Sequence, residues 1–387
     1  METDDFLFTI IYRLQPISSA LSFLSHVRRY DWIMLGAVFL LMALGLLSLF
    51  SLSDVSAFPF FRRQIMWTAA GLVFFFVFSA ADFRIFRVSS VTVFLFYVLS
   101  VLLLSAVLIA DVKIRGAASW LTLSGFTIQP VEIAKLSLIL RHAKFFSKRH
   151  IEIYRFQHLA VSGLYAAAPA ILVLLQPNLG SAIVLFFIWI AVVLFSGMKF
   201  RHFVLLIFIA GVVSWGSWHF VLHPYQQKRI TSFFDPYADP RGGGYQMIQS
   251  MVAVGSGQIW GKGLGYGSQS HLHFLPEPET DFIFATYAEE WGFVGTLVLM
   301  SALTLFLWRV VRIGGIARDN FSRLYSIGFA ALVFSQSFIH IGMNMGVVPI
   351  TGITLPFVSY GGSSLVVMLA GVGILQSIKI NARRDLE

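Results

Sequence analysis

Phe274-Leu-Pro-Glu-Pro-Glu-Thr-Asp-Phe-Ile-Phe-Ala285 is the junction at which a polar loop turns into a long apolar run. Pro276 and Pro278 stiffen the approach, because each fixes its own φ and pushes the preceding residue out of helical space. Thr280 is expected to cap a helix, with Asp281 in the first turn at the water–lipid boundary. Ala285, Ala288 and Gly292 then fall on the face of Asp281. A carboxylate above small residues leaves room for a bound group. An Asp at a helix start also needs no such explanation, since acids favour that position.

Outward from this junction the composition is that of an integral membrane protein. Hydrophobic residues make up 57% of the 387, charged residues only 12%, and mean hydropathy is +0.78. No soluble domain needs so much apolar surface. Apolar runs near Trp32–Leu52, Ile65–Ala81, Val91–Ala110, Ile128–Leu140, His158–Gln176, Leu179–Ser196, Phe203–Leu222, Phe282–Leu307, Ile327–Met345 and Phe357–Ile378 predict an all-α protein with about ten transmembrane helices. Lys144 is expected to snorkel to the interface and lengthen the short fourth run.

An even count puts both termini on one side. Arg84, Arg87, Arg141, Lys148, Arg201, Arg309, Arg312, Arg323 and Arg384 fall there, among others. The opposite side keeps Arg62, Arg63, Lys113, Arg115, Lys228, Arg229, Arg241 and Lys262. This asymmetry predicts cytoplasmic termini and an outer loop over 223–281. One polytopic domain is expected over 31–387, after a cytoplasmic or interfacial segment over 1–30 in which Leu7–Leu24 is an interfacial helix or disordered. The net charge of +9 is mostly a topology signal and does not point to nucleic acid. Without cysteine there is no disulfide or thiol chemistry. Nothing at the N-terminus resembles a cleaved signal, so the first span is expected to direct insertion.

The spans become informative where they turn polar. Gly116, Gly125 and Pro130 interrupt helix, and Trp120 is placed like an interface anchor. Glu132 and Lys135 share a face, with Gln129 a turn earlier; they form either a buried ion pair or a polar wall near an anionic head group. Gln176-Pro-Asn-Leu-Gly180 is a tight turn. In the outer loop, Tyr245, Ile248, Met251 and Val252 are expected to lay a short amphipathic helix on the membrane. The glycines at 261, 263, 265 and 267 fit no nucleotide fingerprint, although their amides can cradle phosphate. His271 and His273 are a weak metal signal. Gln336, His340 and Asn344 form a stripe suited to interhelical hydrogen bonds. Gly346–Ser364 is too broken to span and is expected to re-enter and line a cavity. Ser196-Gly-Met-Lys199 matches S-x-x-K but lacks its K-T-G companion.

Three of these stretches carry a resemblance. Gln129-Pro-Val-Glu-Ile-Ala-Lys135, the Pro276–Gly292 segment and Leu355-Pro-Phe-Val-Ser-Tyr-Gly-Gly-Ser-Ser364 are similar to the SEDS family of polytopic cell-wall polymerases. Gln249–Gly257 and Gln269–Glu277 are closer to its RodA branch than to FtsW. The family usually has Arg where this chain has Ser119, Ser at Val131, Asp at Asn178 and often Asn at His340. The resemblance implies a peptidoglycan glycosyltransferase that polymerises lipid II at the outer face of the bacterial cytoplasmic membrane, beside a class B penicillin-binding transpeptidase. Asp281 takes the place of the catalytic acid. Lys135, Glu132, Arg229, Arg115, Trp120, Gln129, Ser359 and Ser363 are the expected substrate-binding set. No protein-built metal site is expected, and a divalent cation (magnesium or manganese) is the one cofactor candidate. A flippase of lipid-linked sugars and a division or sporulation polymerase are the competing readings.

Overall fold

The computed structural model describes residues 27–54, 59–110, 120–123, 126–148, 156–220, 222 and 224–384. The Leu7–Leu24 segment, Gly116 and Gly125 lie outside them. The fold is all-α. Its helices are α1 (Trp32–Ser51), α2 (Phe60–Ala80), the short α3 (Arg84–Val88), α4 (Ser90–Ala110), α5 (Pro130–Ser147), α6 (Phe156–Leu175) and α7 (Leu179–Phe195). They continue with α8 (Phe200–Phe220), α9 (Pro224–Phe234), α10 (Tyr245–Ser256), α11 (Ser268–His271), α12 (Ile283–Ile316), α13 (Asn320–Asn344) and α14 (Gly362–Arg384). A two-stranded antiparallel hairpin, β1 (Leu121–Leu123) with β2 (Phe126–Ile128), pairs Leu121 with Ile128 and precedes α5.

Among the described residues eight helices are long and apolar enough to cross a membrane. The other two expected spans are helical but fall short of that measure. Helix α7 has 17 residues, and α5 carries Glu132, Lys135, Arg141 and Lys144. Burial sorts the helices by role. In α13 and α14, 78% and 83% of the most apolar window is inside the protein, against 6% in α8. Helices α13 and α14 are therefore the inner pillars, and α8 stands at the periphery.

Three expectations change. Lys144 does not snorkel. It is 3% exposed, and its ammonium donates to the carbonyls of Arg87 and Val88 at the end of α3. A cation there meets the orphan carbonyls and negative dipole end of that helix. Helix α10 does not rest on a membrane alone: it turns Met247, Ser250 and Ala253 inward against α12 and α13, leaving Val252 on the exposed side. Finally, α14 begins at Gly362, so Phe357–Tyr360 belong to the preceding loop. That loop is apolar and buried at Ile353, Leu355, Phe357 and Val358.

Candidate active site

Helix α12 starts at Ile283, and Phe282 occupies its cap without a side-chain bond. Thr280 is thus not the cap, and Asp281 lies in the turn before the helix. The reason is local. The amides of Thr280, Asp281 and Phe282 all converge on the Glu277 carbonyl at 3.2–3.3 Å, with Glu277 at φ +51°. This closes a tight turn before helical bonding begins.

The turn is clamped through its backbone from two directions. Asn344, at the end of α13, donates from Nδ2 to the Asp281 carbonyl at 3.0 Å, and its Oδ1 accepts from the Ala285 amide at 3.1 Å. One side chain thereby bridges the turn and an orphan amide of the first helical turn. From the 346–361 loop, Ser359 Oγ donates to the Thr280 carbonyl at 2.9 Å and accepts from the Leu355 amide at 2.8 Å, and the Tyr360 amide donates to the Glu279 carbonyl. His340 Nδ1, 2.6 Å from the Ile353 carbonyl, fixes the same loop to α13. Asp281 itself is half-buried. Its carboxylate lies against Gly352, where an added Cβ would sit 3.3 Å from Oδ2.

The small-residue face below Asp281 is not open. Ala285 and Ala288 are 0% and 2% exposed, and the glycine-rich loop covers this half of α12. Here the structure shows a feature that sequence reasoning passed over. Glu289 and Glu290 are both buried. Glu289 accepts from Lys262 Nζ at 2.7 Å, from the Gln269 amide at 2.9 Å, and from the amide and hydroxyl of Ser270 at 3.2 and 3.1 Å. Glu290 accepts from the Gly265 amide at 3.1 Å and from the Ser51 hydroxyl. Of the loop glycines expected to cradle phosphate, Gly265 gives its amide to the Glu290 carboxylate, and Gly261 and Gly263 give theirs to the Gly257 and Glu290 carbonyls. Two adjacent acids inside an apolar run were the available signal, since intramembrane ionisable residues default to function. At Gly292 α12 kinks, with φ +63° and ψ −162°. The freed amides of Phe293 and Val294 donate to the carbonyls of Gln258 and Ile259.

The remaining expected residues separate into groups. Glu132 and Lys135 are 3% and 1% exposed and paired at 2.7 Å, so the pair faces the bundle interior and not an open wall. Ser363 Oγ accepts from the Gln129 amide at 3.1 Å, tying the start of α5 to α14; Trp120 is half-buried just before β1. Arg115 and Ser119 lie outside the described residues, as does the side chain of Arg229, which belongs to α9. Asn178 caps α7 by accepting from the Ser181 amide, a role that Asp fills equally well. His271 is bonded to the Gly267 and Ser51 carbonyls. Among the described residues no three His, Asp or Glu side chains gather as metal ligands. A hollow of about 40 Å³ lies between Pro177, Gln226, Ile230, Pro349 and Thr351, next in the chain to the Gly352 that meets Asp281. It admits water and little more.

This arrangement has relatives. Residues 30–384 match the FtsW/RodA/SpoVE family model, described as a cell cycle protein. Stage V sporulation protein E of Bacillus subtilis (strain 168) is 37% identical over 366 residues, covering 91% of this chain and 98% of the relative. Peptidoglycan glycosyltransferase MrdB of Escherichia coli (strain K12) is 37% identical over 317 residues, covering 82% and 85%. Among solved structures, a chain from work on polymerization and crosslinking by a peptidoglycan synthase complex superposes with a TM-score of 0.77 at 33% identity, covering 92% of this chain and 99% of its own. The rod shape determining protein RodA of Thermus thermophilus superposes at 0.66 with 30% identity, covering 90% and 96%. With a match running from before α1 to the end of α14, the chain belongs to the FtsW/RodA/SpoVE family of multi-pass membrane proteins, the SEDS family.

Proposed function

We propose that this protein is a peptidoglycan glycosyltransferase that polymerises lipid II, with Asp281 as its general base. The observation that carries the reading is the half-buried Asp281 carboxylate, held through its backbone by Asn344 and Ser359 at the junction of the outer loop and α12. Asp281 accepts the proton of the acceptor sugar's 4-hydroxyl. That oxygen bonds to the donor's anomeric carbon, the bond from that carbon to the diphosphate oxygen breaks, and the lipid diphosphate leaves with the electron pair and inversion. A single base suffices, because the leaving group is already good; the paired carboxylates of glycosidases are not required. General-base help is worth roughly 10²–10⁴-fold.

Asp281→Asn and Asp281→Ala, purified and well folded, should lose lipid II polymerisation by about that factor on a gel of glycan products. Activity near wild type in either variant sinks the base assignment. Relocation of labelled lipid in proteoliposomes without polymer supports a flippase instead. A divalent cation (magnesium or manganese) enters the proposal only as a partner of the substrate diphosphate, because such ions are commonly held by one or two carboxylates plus phosphates. Chelation that slows the wild type, reversed by magnesium, supports that part.

The membrane in this reading is the bacterial cytoplasmic membrane, with both termini cytoplasmic, consistent with the basic-residue asymmetry. The partner is a class B penicillin-binding transpeptidase, a reading supported by the likeness to a synthase that couples polymerization and crosslinking. The role in elongation rests on the RodA-like loop sequences. Because the sporulation protein and MrdB are equally identical to this chain at 37%, a division or sporulation role is the second reading. Restored rod shape in cells depleted of their elongation polymerase supports the first; restored septation or spore formation supports the second.

A further inference from the structure

The Ser359–Gly361 segment is held by two partners. One is the Asp281 turn: Ser359 Oγ donates to the Thr280 carbonyl and the Tyr360 amide to the Glu279 carbonyl, both at 2.9 Å. The other is Gln64 of α2. Gln64 Nε2 donates to the Ser359 carbonyl at 3.3 Å, and its Oε1 accepts from the Gly361 amide at 3.4 Å. These two bonds bracket Tyr360, the residue whose amide reaches Glu279. The Gln64 side chain thus offers one donor and one acceptor to one piece of backbone, as a neighbouring strand would. It is 2% exposed, and both ends of its amide are spent on this segment. Helix α2 gives it a firm base. It packs along α14, with Gly362 against the Trp67 ring and Gly373 against the Phe75 carbonyl. The Phe60 and Tyr360 rings also meet edge to face at 4.9 Å.

We propose that Gln64 is a positioning residue for polymerisation: by tying Ser359–Gly361 to α2, it sets where the Asp281 turn and its carboxylate stand. This rests on the reading of Asp281 as the general base. Gln64 touches neither Asp281 nor the reacting atoms and acts only through the segment it holds. Removing its amide leaves the Ser359 carbonyl and the Gly361 amide without these partners, and the segment is then free to shift with the turn it carries. A packing role asks only for side-chain volume at this position. Positioning asks in addition for a donor at one end and an acceptor at the other. Met keeps the length and has neither, and a carboxyl supplies the donor only while protonated.

The test uses the purified full-length protein, with wild type and Asp281→Asn run alongside. Gln64→Met should lower kcat for lipid II polymerisation on the order of 10- to 100-fold, the cost of moving a reacting group by up to about 1 Å, with KM little changed. Hydrogen exchange across residues 358–361 should quicken in the same variant. Gln64→Glu is the conservative rescue, and the ratio of its activity to wild type should fall as pH rises and the carboxyl loses its proton. Wild-type kcat in Gln64→Met, with Asp281→Asn inactive, overturns the positioning role and leaves the base assignment standing. Unchanged exchange across 358–361 overturns the tie to α2. A ratio that does not vary with pH overturns the need for a donor. Activity retained by Asp281→Asn overturns the base assignment, and the positioning role falls with it.

Discussion

Asp281 is positioned by its neighbours' grip on its backbone, which makes the residues around it testable apart from the acid itself. Asn344→Ala removes the bonds to the Asp281 carbonyl and the Ala285 amide and leaves both groups unsatisfied, at roughly 1–3 kcal/mol each at most. Misplacing a reacting group by about 1 Å can cost on the order of 100-fold. We expect kcat for lipid II polymerisation to fall far more than KM rises, while the protein still purifies as a monodisperse species. Gly352 is the complementary case. Its φ of +69° disfavours any side chain, and a Cβ would crowd Asp281 Oδ2 at 3.3 Å. Gly352→Ala should reduce polymerisation with a modest loss of thermal stability, and unchanged activity would show that the carboxylate does not depend on this contact.

At the scale of elements, the first half of α12 is an anchor for the 257–270 loop, and its two buried acids do the anchoring. Glu289→Ala leaves Lys262 and the Gln269 and Ser270 amides without their acceptor. Lys262 is 29% exposed and regains water, so the cost is chiefly that of the two unsatisfied amides, roughly 1–3 kcal/mol each at most. Hydrogen exchange at residues 262–270 should rise sharply in this variant, with Glu289→Gln less affected because its amide oxygen still accepts. Further out, the Lys228 ammonium, 2.7 Å from Asp239 Oδ2, and then the Gly243 amide hold the Asp239 carboxyl below its usual range. A depressed folded pKa gives stability that is present above the ordinary carboxylate value and lost as pH falls through the lower one. The 236–244 turn should therefore open only below about pH 4, read as faster exchange of the Gly243 and Gly244 amides, and Lys228→Ala should move that opening upward.

At the scale of the whole molecule, the Glu132–Lys135 pair sits inside the bundle formed by α5, α13 and α14, whereas α8 stands at the periphery. The buried pair separates two roles for Lys135. Lys135→Met alone strands Glu132 and should cost about 3–5 kcal/mol, whereas Glu132→Gln with Lys135→Met should recover much of that stability. If the pair only fixes helix register, the double variant polymerises lipid II. If Lys135 holds the diphosphate in an opened state, it folds and stays inactive.

Much of this protein was determined by its sequence alone. Hydropathy is a local sum, so helix-length apolar runs and the all-α membrane class follow from composition along the chain. The Gln336–Asn344 stripe and the Gly346–Ser364 segment were visible as departures from that pattern. Tertiary structure decided what each polar group meets. Asn344 reaches Asp281 and Ala285 about 60 residues away in the chain, and Lys144 finds the end of α3 instead of the interface. Gly265, expected to help cradle phosphate, gives its amide to the Glu290 carboxylate instead. The turn that displaces the Thr280 cap closes locally on the Glu277 carbonyl, but Ser359 pins it from across the bundle. Inside a membrane protein an unpaired polar atom is costly, and which partner it finds depends on how the helices pack, a quantity no local stretch of sequence contains.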